Sequence, residues 1–128
     1  MATDFSHSSA RAVERAIRLA DDYDAALTVL HVIDIGWQAG SGAAKELMKE
    51  LWHESSTQMA QLAWSMCGQL EAQTTIEEGL PWEQILVKSR DFDLIVLGKS
   101  RPKAGWKLFC QRTVKRVVEN ALCPVMVV

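Results

Sequence analysis

No apolar run in this chain of 128 residues is long enough to cross a bilayer: runs such as Leu94 to Leu97 fall far short of the ~20 residues a spanning helix needs. The amino end lacks a basic stretch followed by an apolar one and runs straight into Asp4, so it does not resemble a secretory signal. A cytoplasmic location is the expectation. Cysteine is sparse: Cys67, Cys110 and Cys123 lie far apart without C-x-x-C spacing, and an odd number cannot all pair within one chain, so reduced, packed thiols are expected. The three histidines, His7, His31 and His53, fall on a loop, a strand and a long helix, and none is spaced with Asp, Glu or Cys as metal ligands are. No G-x-S-x-G elbow is present, and Ser6 and Ser9 are better explained as helix caps than as nucleophiles beside His7 and Asp4, so no catalytic residues are expected. Repeats, linkers and low-complexity stretches are absent.

What remains is the composition of one ordinary globular domain over residues 1–128. Hydrophobic residues make up 48% and charged residues 23%, which excludes the low-hydrophobicity, high-charge signature of disorder. Net charge is only −2, but it is unevenly placed. Met1 to Gly98 carries 7 basic and 15 acidic side chains, whereas Lys99 to Val128 carries 7 basic ones against Glu119 alone. A local positive field of this kind can attract anions to an otherwise acidic protein.

Along the chain, Ser6, Ser8 and Ser9 precede Val13, Ala16, Ile17, Leu19 and Ala20 at helical spacing, which predicts a capped amphipathic helix. Ala26 to Ile33 is nearly continuous in apolar and β-branched residues, as a strand covered on both faces requires. After a glycine-rich connection from Gly36 to Gly42, the stripe Leu47, Leu51, Met59, Leu62, Ala63 and Met66 marks a long helix that Gly68 closes. A more polar strand over Glu71 to Ile76 suits a sheet edge, and Pro81 suits the first turn of the next helix. Asp93 to Gly98 reads as the clearest buried strand. An irregular basic stretch from Lys99 to Cys110 then leads to a helix on Val114, Val117, Val118 and Ala121, and Cys123-Pro124 stops it before a last strand. The first strand has only Met1 to Phe5 and is short for the middle of a sheet. Strands alternating with helices predict one parallel, doubly wound sheet between helical layers.

The segments Ala2-Thr3-Asp4-Phe5-Ser6 with Ser9, Leu30-His31-Val32-Ile33-Asp34, Gly79-Leu80-Pro81, Asp93 to Gly98, and Cys123 to Val128 occur in the order seen in universal stress proteins, and the chain resembles that family over nearly its whole length. The resemblance implies a three-layer α/β sandwich of the adenine nucleotide α-hydrolase-like, flavodoxin-like kind. Its five parallel strands would run in the order 3-2-1-4-5, and it would form a homodimer through the last strand. Pro124, Val125, Met126, Val127 and Val128 support that dimer on physical grounds, since an uncharged apolar edge strand invites pairing with another copy.

In a sheet of that order, ligands sit beyond the strand ends where the winding reverses, between strands one and four. Thr3, Asp4 and Ser6 would line that crevice with Val32, Leu97 and Gly98. Nucleotide-binding members resemble one another in a loop of glycine, two residues, glycine, nine residues, and glycine followed by serine or threonine, whose backbone closes around phosphates. Here the pattern begins at Gly98 but meets Arg101, Gln111 and Arg112 at the remaining places, with Thr113 one residue late. The expectation is a non-enzymatic dimeric binding or regulatory module in stress response, with no cofactor and without tight ATP binding. Two alternatives stay open. ATP or AMP with magnesium could be held by charge, because Lys99, Arg101, Lys103, Lys107, Arg112, Lys115 and Arg116 cluster where phosphates would lie. Weak nucleic-acid binding is the other, with Trp106 among those basic residues as a stacking platform; the footprint is small, so nucleic acid is not the favoured partner. A protein partner or a small anion remains compatible with the same loop.

Overall fold

The computed structural model describes residues 1–34, 42–68, 70–99 and 107–128, with side chains described for all of these but 42, 43 and 107–111. Among them the chain runs β1 (Ala2–Thr3), α1 (His7–Asp22), β2 (Leu27–Ile33), α2 (Gly42–Met66), β3 (Ala72–Glu78), α3 (Pro81–Lys88), β4 (Ile95–Leu97), α4 (Lys107–Asn120) and β5 (Val125–Val127). The five strands form one parallel sheet in the order β3-β2-β1-β4-β5, as the resemblance implies.

Burial on both sheet faces explains the composition of the strands. Ala12, Val13, Ala16 and Ala20 of α1 and Met59 and Met66 of α2 pack with Leu27, Val29 and Val96 on one face. On the other, Ile85 of α3 and Val117 of α4 pack with Leu30, Ile95 and Leu97. Successive residues of β4 therefore enter opposite cores, which is why that strand is apolar without alternation. The polar β3 lies at one edge, where Gln73 and Thr74 meet water.

The central strand β1 is as short as its sequence predicts, with two ladder residues. Met1 lengthens the pairing: its carbonyl accepts from the Leu30 amide at 2.9 Å and its amino group donates to the Thr28 carbonyl at 2.6 Å. Gly68 ends α2 with φ at +90°, a conformation glycine adopts without strain. Pro81 opens α3, where its missing N–H costs nothing.

Several details differ from the sequence reading: β4, read as Asp93 to Gly98, spans Ile95–Leu97 alone, with Leu94 exposed. β3 runs on to Glu78, because each of its residues pairs with one of β2 from Leu27 to Ile33. The helix α4 begins at Lys107, inside the stretch read as irregular; Cys110 continues the helical spacing of Val114, Val117 and Ala121 one turn back, a signal that reading Lys99 to Cys110 as one basic stretch passes over. Val118, read as part of the core side of α4, is 53% exposed. It sits a quarter turn from Val117, which is fully buried, so only one of the adjacent valines can face the sheet.

Candidate functional site

The β1–α1 connection, where the winding of the sheet reverses, is built from short polar side chains that bond their own backbone. Ser6 caps α1, its hydroxyl accepting from the Ser9 amide at 3.2 Å. The Ser9 hydroxyl donates to the Ser6 carbonyl at 2.8 Å, and the Thr3 hydroxyl donates to the Ser9 hydroxyl at 3.0 Å. Thr3 also accepts from the Phe5 amide, and one Asp4 carboxylate oxygen accepts from the Ser6 amide, each at 3.0 Å. These bonds carry the chain from strand to helix within a few residues. They also engage both serine hydroxyls in structure, in agreement with the capping role read from the sequence.

Phe5 lies at φ 56°, in the left-handed region, which costs an ordinary residue roughly 1–2 kcal/mol. Two contacts hold it there. Its ring lies 4.4 Å from the His31 ring between centroids, tilted by 37°, and its side chain packs on the α1/α2 core. His31 Nδ1 stands 2.9 Å from the Thr3 carbonyl. A carbonyl only accepts, so Nδ1 carries the proton and, in the neutral ring, Nε2 keeps its lone pair. The sequence places His31 in the second strand and Phe5 at the end of the short first one, with nothing that joins them. The register that sets Thr3 opposite His31 brings them together, and no local periodicity reveals it.

At the other wall, Gly98 follows β4 and touches the first turn of α1. A Cβ built there would come within 2.8 Å of the Ser8 carbonyl oxygen and 2.9 Å of Ser9 Cα, both backbone atoms. Glycine at this position lets α1 seat on the end of β4. This packing reason for Gly98 is separate from any phosphate.

Of the residues assigned to the crevice, Thr3 and Leu97 are buried, Val32 is half-buried against the α3/α4 core, Asp4 is exposed, and Ala2 pairs with Leu97 across the β1–β4 junction. Arg112 is exposed and Thr113 half-buried, in the second turn of α4. Arg101 lies outside the described residues, as do Trp106, Lys103, Trp37 and most of the glycine-rich connection, and the Gln111, Lys107 and Cys110 side chains are not described. Among the basic residues whose side chains are described, two on α4 have partners of their own. Lys115 reaches Glu119 on its own helix at 3.8 Å, and the Arg116 guanidinium lies 4.4 Å over the Trp82 ring of α3. Both are thereby drawn along α4 or across to α3.

Among the described residues no group of three or more His, Cys, Asp or Glu side chains is placed to hold a metal ion, and no helix is long and apolar enough to cross a membrane. Cys67 is exposed. Burial pushes the Cys123 thiol above its ordinary pKa, and the nearby Asp93 carboxylate adds to the shift.

The sequence model of the universal stress protein family matches residues 1–128. A curated relative, universal stress protein MJ0531 of Methanocaldococcus jannaschii, is 30% identical over 136 residues, covering 98% of this chain and 78% of its own length. Among solved structures, universal stress protein UspA from Lactobacillus plantarum superposes with a TM-score of 0.85 at 25% identity, over 99% of this chain and 93% of that one. A universal stress protein in complex with cAMP superposes with a TM-score of 0.61 at 20% identity, over 100% of this chain and 93% of that one.

Proposed function

Because this chain belongs to the universal stress protein family, we propose that it acts as a non-enzymatic, dimeric binding and regulatory module that does not hold ATP tightly. The observation that carries this reading is the contact of Gly98 with the Ser8–Ser9 backbone. The one glycine that survives from the phosphate-binding pattern has a structural use of its own, so its presence is no sign of a retained cradle. The remaining places of the pattern hold Arg101 and Gln111 in place of glycine and Arg112 in place of serine or threonine, and a side chain in place of a glycine hydrogen obstructs the close approach of main-chain amides to a phosphate. The Ser6 and Ser9 hydroxyls that a hydrolytic reading would need are bonded within the α1 cap.

The dimer would form along β5. The Pro124 carbonyl and the Val128 amide bond to β4, which turns the backbone groups of Val125 and Val127 outward. Val127 is 40% exposed, and Val118 and Leu122 are more so, at 53% and 69%. An open strand edge flanked by apolar side chains is the kind of surface a second copy covers.

Isothermal titration with ATP and magnesium tests the ligand reading. Little or no heat is expected at micromolar protein. A micromolar or tighter Kd that weakens in Arg101→Ala would overturn it and favour a nucleotide held by charge. That second reading draws on the fold neighbour described in complex with cAMP, so cAMP belongs in the same titration. Gel shifts with DNA and RNA, read against salt, provide the nucleic-acid arm: binding lost steeply with salt would replace the present reading.

A further inference from the structure

Among the described residues four have positive φ: Gly68, Gly79, Asp24 and Phe5. Glycine adopts that region freely and aspartate tolerates it, so Phe5 is the one bulky side chain held there. The left-handed backbone is disfavoured for such a residue by roughly 5- to 30-fold. Glycine would make the same turn without that penalty, so the Phe5 ring has to offset what its backbone loses.

Two contacts of the ring do so. The first is the pair with the His31 ring, 4.4 Å between centroids and tilted by 37°, a kind of contact that favours the paired form by roughly 2- to 12-fold. The second is the packing of the ring on the core beneath α1 and α2. The aromatic pair alone falls short of the strain over most of these ranges. The turn is therefore held by both contacts together, and loss of either tips the balance.

The turn also joins three elements at the crevice. The Phe5 amide donates to Thr3 Oγ1, the same hydroxyl donates to Ser9 of α1, and His31 of β2 stands on the Thr3 carbonyl. The bond from the Ser6 amide to Asp4 Oδ1 spans Phe5, so a change of its φ breaks that bond. Asp4 is the exposed acid of the crevice, and its setting depends on the conformation of its neighbour.

We propose that Phe5 is a strained latch: the β1–α1 turn exchanges between the closed form of this structure and an open form in which Phe5 relaxes to negative φ, its ring leaves His31, and the Asp4 carboxylate loses the Ser6 amide. The His31 ring is the catch, oriented by the Nδ1 bond to the Thr3 carbonyl. A ligand that touches Asp4 in only one form selects that form, and its affinity is scaled by the population of the latch. The device is a property of the chain alone and stands whether or not a nucleotide binds.

Hydrogen exchange of the whole chain, read by peptide mass spectrometry and corrected for intrinsic rates, tests the latch. His31→Asn keeps a donor for the Thr3 carbonyl but removes the ring, and should speed exchange over residues 4–10 by roughly 2- to 12-fold. Peptides of β2 away from the substitution and of β3 should exchange as in the wild type, because the opening is local. Equal acceleration throughout the sheet would make His31 an ordinary core residue and overturn the proposal, as would no change over residues 4–10. Phe5→Gly and Phe5→Ala both lose the ring, but only alanine keeps the strain, so the alanine variant should exchange faster over the same residues. Equal rates in these two would show that the backbone is not strained and would also overturn the latch. Circular dichroism verifies that each variant folds, and the His31 variant and the Phe5 pair are independent, so either decides the matter if the other fails to fold.

Discussion

Cys123 and Cys67 show how position sets the chemistry of one residue type. Cys123 follows α4 beside Asp93, and burial first, then that carboxylate, hold its thiol protonated above the usual range. Cys67 closes α2 in contact with water. Since the thiolate is the nucleophile, iodoacetamide at pH 8 should alkylate Cys67 well before Cys123, with peptide mass spectrometry reading the order. The pKa of Cys123 is raised in the folded state, so its contribution to stability is intact below the unfolded thiol pKa and is lost as pH rises through the folded one. Equal alkylation rates would show that Asp93 and burial do not control the site. His31 is the counterpart among bases: its Nδ1 proton is committed to the Thr3 carbonyl, and its ring supports a left-handed Phe5.

At the scale of elements, the junction of α1 with β4 depends on the absence of one side chain. Gly98→Ala would press a methyl group against the Ser8 carbonyl and Ser9 Cα, and neither backbone atom can give way without moving the α1 cap. A loss of about 1–3 kcal/mol is expected in urea unfolding, the usual cost of overpacking, with helix content unchanged. An unaltered midpoint would mean that α1 shifts freely on the sheet. The elements themselves were largely legible in the sequence. Ser6 as cap, Gly68 as stop, Pro81 at the start of α3 and the doubly buried β4 each follow from local chemistry. The start of α4 was not, because no Ser, Thr, Asp or Asn cap stands directly before Lys107, although Cys110 keeps helical spacing with Val114 and Val117. Val118 was misplaced because periodicity names an apolar side but not its width.

For the whole molecule, the sheet has two unlike edges. The β3 edge is polar, and the β5 edge is apolar, short and flanked by Val118 and Leu122. If β5 pairs with its copy, Val127→Lys should convert a dimer into a monomer by light scattering, since a lysine on an edge strand opposes pairing. A mass unchanged from the wild type would remove β5 from the assembly.

The sequence by itself determined the alternation of strands and helices, the family and hence the strand order, and the loss of the phosphate-binding glycines, because each is written in neighbouring residues or in motifs of fixed spacing. Only the tertiary structure decided that Gly98 serves the seat of α1, that His31 and Phe5 form one unit with Thr3, and that Arg116 turns to Trp82. Those contacts join residues far apart in the chain, and parallel register and helix packing, which no local pattern encodes, bring them together.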